Sequence, residues 1–319
     1  MRRPIHPDIQ DGDYVALKDQ IALGMSLPHR SPDPLDMTAV RQVAQRADAL
    51  GFRDLWVTDN ALDHAFSFDS LTVLTYAAAI TTKIRLGVSV IVLPVQHPVH
   101  VAHRVATLDV VSGGRAILGV GLGRDHHYDE FHVPKEHRVR RFREGVELVK
   151  ALWTEPKVAY RGGIYETHGA MTLKPVQKPR PPIWMGGDHP DAVRRAASLA
   201  DAWMGSGGSS VAVFSKCVPI LKAELEKTGR DPKTFPISKR VFLSVHERAD
   251  VARKELDRWF TTVYRNPAGT DASGVHGTPE QVRARLEELA AMGATHLLLN
   301  PTARYAEHVD ALASMTGLA

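Results

Sequence analysis

Residues Ile84 to Asp125, IRLGVSVIVLPVQHPVHVAHRVATLDVVSGGRAILGVGLGRD, read as a strand, a helix and a second strand that ends in spaced glycines. Ile84, Leu86, Val88, Val90, Ile91, Val92 and Leu93 form a nearly unbroken apolar run. Such a run suits a parallel strand covered on both faces. Pro94 ends it, and Pro98 opens a helix in which Val101, Val105, Leu108 and Val111 recur at helical spacing. Gly113 and Gly114 supply the turn that closes that helix. Ala116 to Gly121 returns as a strand whose end, with Gly119, Gly121 and Gly123 alternating, presents a face without side chains. That face admits a flat ligand or, equally, a tight bend into the following loop. The dinucleotide pattern G-x-G-x-x-G is not met, because position 124 is Arg and DHHYDEFHVP does not read as the helix such a pattern opens onto.

The same alternation continues on both sides of this unit. IALGMS (21–26) and DLWVTDN (54–60) precede it as strands, each followed by a helix, over Val40–Leu50 and Leu71–Thr81. After it come a helix over 137–153, with Val139, Phe142, Val146, Val149 and Leu152 apolar, and an excursion at 155–181 with turn signals at Gly162-Gly163 and His168-Gly169. Strands PIWMGG (182–187), DAWMGSG (201–207), ISKRVFLSV (237–245) and THLLLN (295–300) then alternate with further helices. One of these helices begins at Thr278-Pro279-Glu280-Gln281, a capping box with Pro at the first helical position; Val282, Leu286, Leu289 and Met292 mark its apolar face. Eight strands alternating with helices predict a (β/α)8 barrel as a single domain over 21–319, with residues 1–20 as an N-terminal extension. A doubly wound open sheet is the alternative, since alternation alone does not show closure.

Composition narrows the function. The net charge of +4 is spread over basic residues interleaved with acidic ones, so nucleic-acid binding is not expected. The densest basic cluster, Arg138, Arg140, Arg141 and Arg143, reads as a solvated helix face or a phosphate grip. A single cysteine, Cys217, excludes an intramolecular disulfide and a cysteine-based zinc site. No run reaches the ~20 apolar residues of a membrane span, and residues 1–20 hold no signal-peptide core, so a cytoplasmic location is expected. The sixteen histidines include no H-E-x-x-H, and no metal site is expected. No G-x-S-x-G elbow is present either.

In a (β/α)8 barrel the polar residues directly after each strand build the site. These are Asp59 and Asn60 after strand two, Ser89 within strand three, Arg124 to His127 after strand four, and Gly186, Gly187 and Asp188 after strand five. Ser206 to Gly208 follow strand six. GGDHPDAVRRA joins a strand end, two glycines and a helix start, which aims unpaired N–H groups at the barrel mouth and suits a phosphate. Asp188 or His189 serves equally as a plain helix cap. Arg124 faces either an anionic tail or a surface pairing with Asp125 or Asp129.

The stretches ADALGFRDLWVTD, IRLGVSVIVLPVQHPVHVAHRVATLDVVSGGRAILGVGLG, PVQKPRPPIWMGG with AASLADAW, and GTPEQVRARLEELAAMGATHLLL, in this order, resemble the luciferase-like monooxygenase superfamily of flavin- and deazaflavin-dependent barrels. The resemblance covers nearly the whole chain from Ile21. It implies a tricyclic cofactor in the barrel mouth, with its phosphate near Gly186 and Gly187 and its ring near Gly119, Gly121, Gly123, Ser89 and Val90; Asp188, Arg124 and His127 complete the expected cofactor-binding residues, Arg124 toward the tail. It also implies a bulge with a non-proline cis peptide between Ser89 and Val90. Asp59 after W-V-T resembles the branch that uses the deazaflavin coenzyme F420, whose pattern is W-x-x-D-H. Asn60 stands where that pattern has His and cannot titrate near neutral pH, which argues against the sugar-phosphate and alcohol dehydrogenases of the branch. The expectation is a hydride-transferring oxidoreductase using F420, with Asp59 and Asn60 at the reacting edge, a small-molecule substrate and a homodimeric state. An FMN-dependent monooxygenase is the alternative; a metal-dependent hydrolase and a non-catalytic binding barrel rank below it.

Overall fold

The computed structural model describes residues 15–319. Its centre is a ring of eight parallel strands: β1 (Ala22–Ser26), β2 (Asp54–Val57), β3 (Arg85–Val92), β4 (Ala116–Gly121), β5 (Ile183–Gly186), β6 (Ala202–Gly205), β7 (Ile237–Val245) and β8 (His296–Pro301). Each strand pairs with the one before and after it. The ring closes where Ala22 to Met25 of β1 register with His296 to Leu299 of β8, and where Trp203 of β6 registers with Ile237 of β7. Closure separates this fold from a doubly wound sheet. A short strand, Val275–Gly277, pairs outside the ring with Leu243 to Val245.

Helices α1 (Met37–Leu50), α2 (Ser70–Ile80), α3 (Pro98–Val111), α4 (Arg138–Thr154), α5 (Pro190–Leu199), α6 (Val211–Lys227), α7 (Ala249–Thr262), α8 (Pro279–Ala291) and α9 (Tyr305–Thr316) cover the ring. Their ends follow the local sequence. Asp36 and Asp69 accept backbone N–H groups at the starts of α1 and α2, and Gly51 closes α1 in the left-handed conformation. Thr278 and Gln281 form the expected capping box of α8. Val282, Leu286 and Leu289 are buried, whereas Met292 lies beyond the end of that helix and is exposed.

Residues 155–181 contain the expected excursion, an antiparallel hairpin of Val158–Arg161 with Glu166–Gly169. The expectation for residues 1–20 is divided: 1–14 lie outside the described residues, but 17–20 form a short helix whose Leu17 is fully buried in the core.

The barrel interior is filled by Trp56, Ile117, Trp184, Ala202, Met204 and Leu298, with Val90 against them. Trp56 and Trp184 sit 5.0 Å apart between ring centroids. Gly87 makes room for this stack, since a Cβ there would lie 2.3 Å from the Trp56 ring. One layer is polar. The Asp54 carboxylate meets His296 Nε2 at 2.9 Å and accepts the Trp56 indole N–H at 2.5 Å, and His296 Nδ1 meets Ser238 Oγ at 2.7 Å.

Candidate active site

At the carboxyl ends of the strands a cavity of about 880 Å³ opens between β3 and β7. Ser89, Val90, Gly121, Gly123, Arg124, Gly186, Gly187 and Asp188 all line it, so eight of the eleven expected site residues converge there. Asp59, Asn60 and His127 do not. They line an adjoining cavity of about 330 Å³, with Arg30, Asp63, His64, Gln96 and Arg104. Val92 of the smaller cavity packs against Gly123 of the larger one, so tightly that a Cβ at Gly123 would lie 2.4 Å from it. This contact is the partition between the two.

The glycine face of β4 is not the open ligand surface the alternation suggests. A Cβ at Gly119 would fall 2.0 Å from the Val88 carbonyl oxygen, and one at Gly121 would fall 2.6 Å from Val90 Cγ2. The glycines receive the irregular end of β3, whose register with β4 shifts between Val88 and Ile91 and whose Ser89–Val90 peptide is cis. This matches the expected bulge. Its consequence is positional: Val90 stands half-buried in the cavity, in contact range of both Gly121 and Gly186.

On the β5 side, the N–H groups expected to await a phosphate are largely engaged. Gly187 N–H donates to the Met204 carbonyl at 3.3 Å, and Asp191 N–H donates to the His189 ring at 3.3 Å. Ala192 and Val193 N–H groups return to the His189 carbonyl. Asp188 accepts the Ser206 N–H at 3.1 Å, which ties the loop after β6 to this wall. Positive charge comes instead from side chains: Arg124, Arg138 and Arg195 line the cavity against the carboxylates of Asp188 and Asp191. Asp125 pairs with Arg138 and Asp129 with Lys135. Arg124 therefore has neither surface partner that the sequence offers it.

Asp59 lies in the smaller cavity. Burial raises its carboxyl above the usual carboxylate range, while hydrogen bonds from Ser70 at 2.8 Å and Gln96 at 2.6 Å act in the opposite direction. Asn60 Nδ2 donates to Thr58 Oγ1 at 2.6 Å. Thr58 in turn meets His29, whose Nδ1 donates to the Leu27 carbonyl at 2.7 Å and whose Nε2 accepts the Thr58 N–H at 2.7 Å. Burial pushes His29 down to about 3, so the ring is a fixed neutral support for the Thr58–Asn60 turn.

Sequence reasoning missed Arg240 and Tyr264, which also line the main cavity. Arg240 lies inside the apolar-looking strand β7 and reaches across the mouth to donate to Ser89 Oγ on β3. Other reactive-looking groups are sealed. Ser238, His296 and Asp54 are chained like a nucleophilic triad but are fully buried and line neither cavity. Cys217 is buried, and burial raises its thiol. Among the described residues no group of three or more His, Cys, Asp or Glu side chains could hold a metal ion, and no helix is long and apolar enough to cross a membrane.

The family profile described as luciferase-like monooxygenase matches residues 21–296. Among curated proteins, the F420-dependent glucose-6-phosphate dehydrogenase of Kineococcus radiotolerans is 29% identical over 227 residues, covering 68% of this chain and 66% of that protein. The match thus spans just under two thirds of that relative's length. The 5,10-methylenetetrahydromethanopterin reductase of Methanolobus tindarius is 24% identical over 297 residues, covering 81% of this chain and 89% of that protein. Of solved structures, a monooxygenase from Streptomyces bottropensis superposes with a TM-score of 0.82 at 22% identity, covering 92% of this chain and 98% of that one. The coenzyme F420-dependent tetrahydromethanopterin reductase of Methanopyrus kandleri gives 0.78 at 21% identity, covering 92% and 98%. These two likenesses speak for the fold.

Proposed function

This chain belongs to the luciferase-like monooxygenase family, and we propose that it is an oxidoreductase transferring hydride between the deazaflavin coenzyme F420 and a small organic substrate. The observation that carries the reading is the cationic mouth of the main cavity. Arg124, Arg138 and Arg195 line it, and Arg195 forms no ion pair among the described residues. F420 is a deazaflavin with a phosphate and a carboxylate-bearing tail, and such a tail needs more positive charge than FMN's single phosphate. The names of the curated relatives support the same choice. The residues present fit the group: the cavity is large enough for a tricyclic ring, and Val90, seated against Gly121 and Gly186, offers it an apolar wall.

When bound, the deazaflavin supplies the hydride acceptor or donor. The chain's own residues orient, exclude water and manage the proton. Val90 would support the ring, and the three arginines would hold the tail. Asp59 is the proton-carrying group of this reading, because burial keeps its carboxyl protonated to a higher pH than an exposed carboxylate. Asn60, fixed by Thr58, orients substrate without titrating. The partition of Val92 on Gly123 requires either that the substrate reach past it or that water relay the proton between the cavities. The proposal includes a homodimer acting in the cytoplasm on a small molecule.

The test is direct titration with purified F420 and with FMN, followed by absorbance and fluorescence. Saturable micromolar binding of F420 and at least tenfold weaker binding of FMN is expected. The reverse order would establish the FMN-dependent monooxygenase reading, and binding of neither would remove both.

A further inference from the structure

Among the described residues two cations are buried, Lys239 and Arg240, side by side on β7. Lys239 is fully used: its ammonium donates to the Ser206 carbonyl, to the Ser209 carbonyl at 2.9 Å and to Ser209 Oγ at 3.0 Å. It therefore anchors the loop after β6. Arg240 is different. A guanidinium carries five N–H donors, and among the described residues the hydrogen bond Arg240 makes is the one to Ser89 Oγ. No carboxylate among the described residues forms an ion pair with it.

Arg115 shows what a structural arginine looks like in this fold. Its fork donates to the carbonyls of Ser112, Ile84, Ala78 and Thr81 and to the Thr81 hydroxyl. Arg30, the cation whose charge bears on Arg240, is neutralised in a two-pronged pair with Asp63 at 2.6 and 3.0 Å. Arg240 is 8% exposed, and that exposure opens into the main cavity, beside Ser89, Gly207 and Tyr264. A Cβ at Gly207 would lie 2.9 Å from Arg240 Cγ and Cδ, so the loop after β6 lies on the arginine stem and fixes its direction.

A buried charge without a partner is destabilising and persists where something else requires it. We infer that Arg240, held by Ser89, is a binding group on the cavity floor for a negatively charged oxygen of the ligand. The planar fork suits a carboxylate or an enolate-type oxygen. That oxygen belongs either to the substrate or to the ring of the coenzyme, and for the coenzyme alternative the inference rests on the proposed function. In both cases the positive charge favours the ligand state with negative charge on oxygen, and thereby sets which ligands the site accepts.

The experiment compares the wild-type full chain, purified without coenzyme, with Arg240→Met and Arg240→Gln, the latter keeping a donor for Ser89 without the charge. Thermal midpoints are measured against sodium acetate at fixed ionic strength, with acetate as the carboxylate probe. The wild type should show a saturable upward shift, and both variants should lose at least tenfold in apparent acetate affinity. Arg240→Met should also unfold no lower than wild type before acetate is added. A Gln variant with the wild-type acetate response would overturn the inference, as would a Met variant several degrees less stable beside such a Gln variant. Titration with F420 then locates the source: a tenfold loss in the variants assigns the oxygen to the coenzyme, and unchanged F420 affinity assigns it to the substrate. A wild type that binds neither F420 nor FMN defeats the proposed function while leaving the acetate result to stand or fall alone.

Discussion

Replacing Glu144 by Gln should detach the hairpin of residues 158–169 from α4. The Glu144 side chain is 8% exposed and accepts the N–H groups of Gly163 at 2.9 Å, Ile164 at 2.8 Å and Tyr165 at 3.1 Å, with Arg140 Nε at 2.7 Å. Burial alone would raise this carboxyl. The three backbone donors and Arg140 overcome that and hold it at about 2, against an ordinary 4.5. At 1.36 kcal/mol per factor of ten, the difference corresponds to about 3 kcal/mol in favour of the folded ionised state. Gln keeps one acceptor oxygen and loses the charge, so the expected cost at pH 7 is about 2–3 kcal/mol. Because the folded pKa is depressed, the stabilisation is complete above pH 4.5 and lost as the pH falls through about 2. Urea unfolding of both proteins at pH 7, 5, 4 and 3, followed by circular dichroism, should show a gap that narrows over the last two steps. A gap under 0.5 kcal/mol at pH 7, or one that does not change with pH, would refute the reasoning.

Other substitutions test the barrel and the site. Gly87→Ala places a Cβ 2.3 Å from the Trp56 ring and should lower stability by about 1–3 kcal/mol, read as a reduced thermal midpoint; an unchanged midpoint would mean the indole stack is free to move. Gly186→Val should fill the cavity beside Val90 and weaken F420 binding more than tenfold with little change in folding. Gly187→Val is the poorer probe, because Gly187 has φ +141° and a Cβ there would lie 2.9 Å from Ala192. Wild-type F420 affinity in a folded Gly186→Val protein would remove that wall from the site. Asp59→Asn should lower turnover, and its stability relative to wild type should rise with pH. The folded carboxyl is raised, so the wild-type contribution is complete below the unfolded pKa and fades as the pH climbs through the folded one; thermal midpoints between pH 3 and 7 that stay parallel would contradict the assignment.

The order of elements was legible because the barrel strands are largely buried on both faces and written mostly as apolar runs, while most helices carry apolar residues at a period of 3.6. Closure was not, since no residue encodes the pairing of β6 with β7 or of β1 with β8; it follows from the summed twist and tilt of the ring. The glycines of β4 show the limit of pattern reading at the site. Alternation located them on one face, but what fills that face is the Val88 carbonyl and the Val90 side chain of a neighbouring strand, and their arrival depends on the register shift of β3. In the same way, the distance in sequence from Asn60 to Gly123 says nothing of a partition between them, because Val92 builds that partition from a third strand.

Arg240 was missed although its signal was present. ISKRVFLSV puts a Lys and an Arg on consecutive positions of a strand whose nine residues are all buried. Consecutive strand residues point to opposite faces, so one cation must enter the barrel interior and the other the layer between barrel and helices. In a closed barrel such a pair demands two separate explanations. Lys239 finds its explanation in the backbone of the loop after β6. Arg240 has the Ser89 hydroxyl and the cavity, and a hydroxyl does not neutralise a guanidinium. A polar residue after a strand is expected in any barrel of this kind, whereas an unneutralised cation within one is not, and it is therefore the stronger pointer to the ligand.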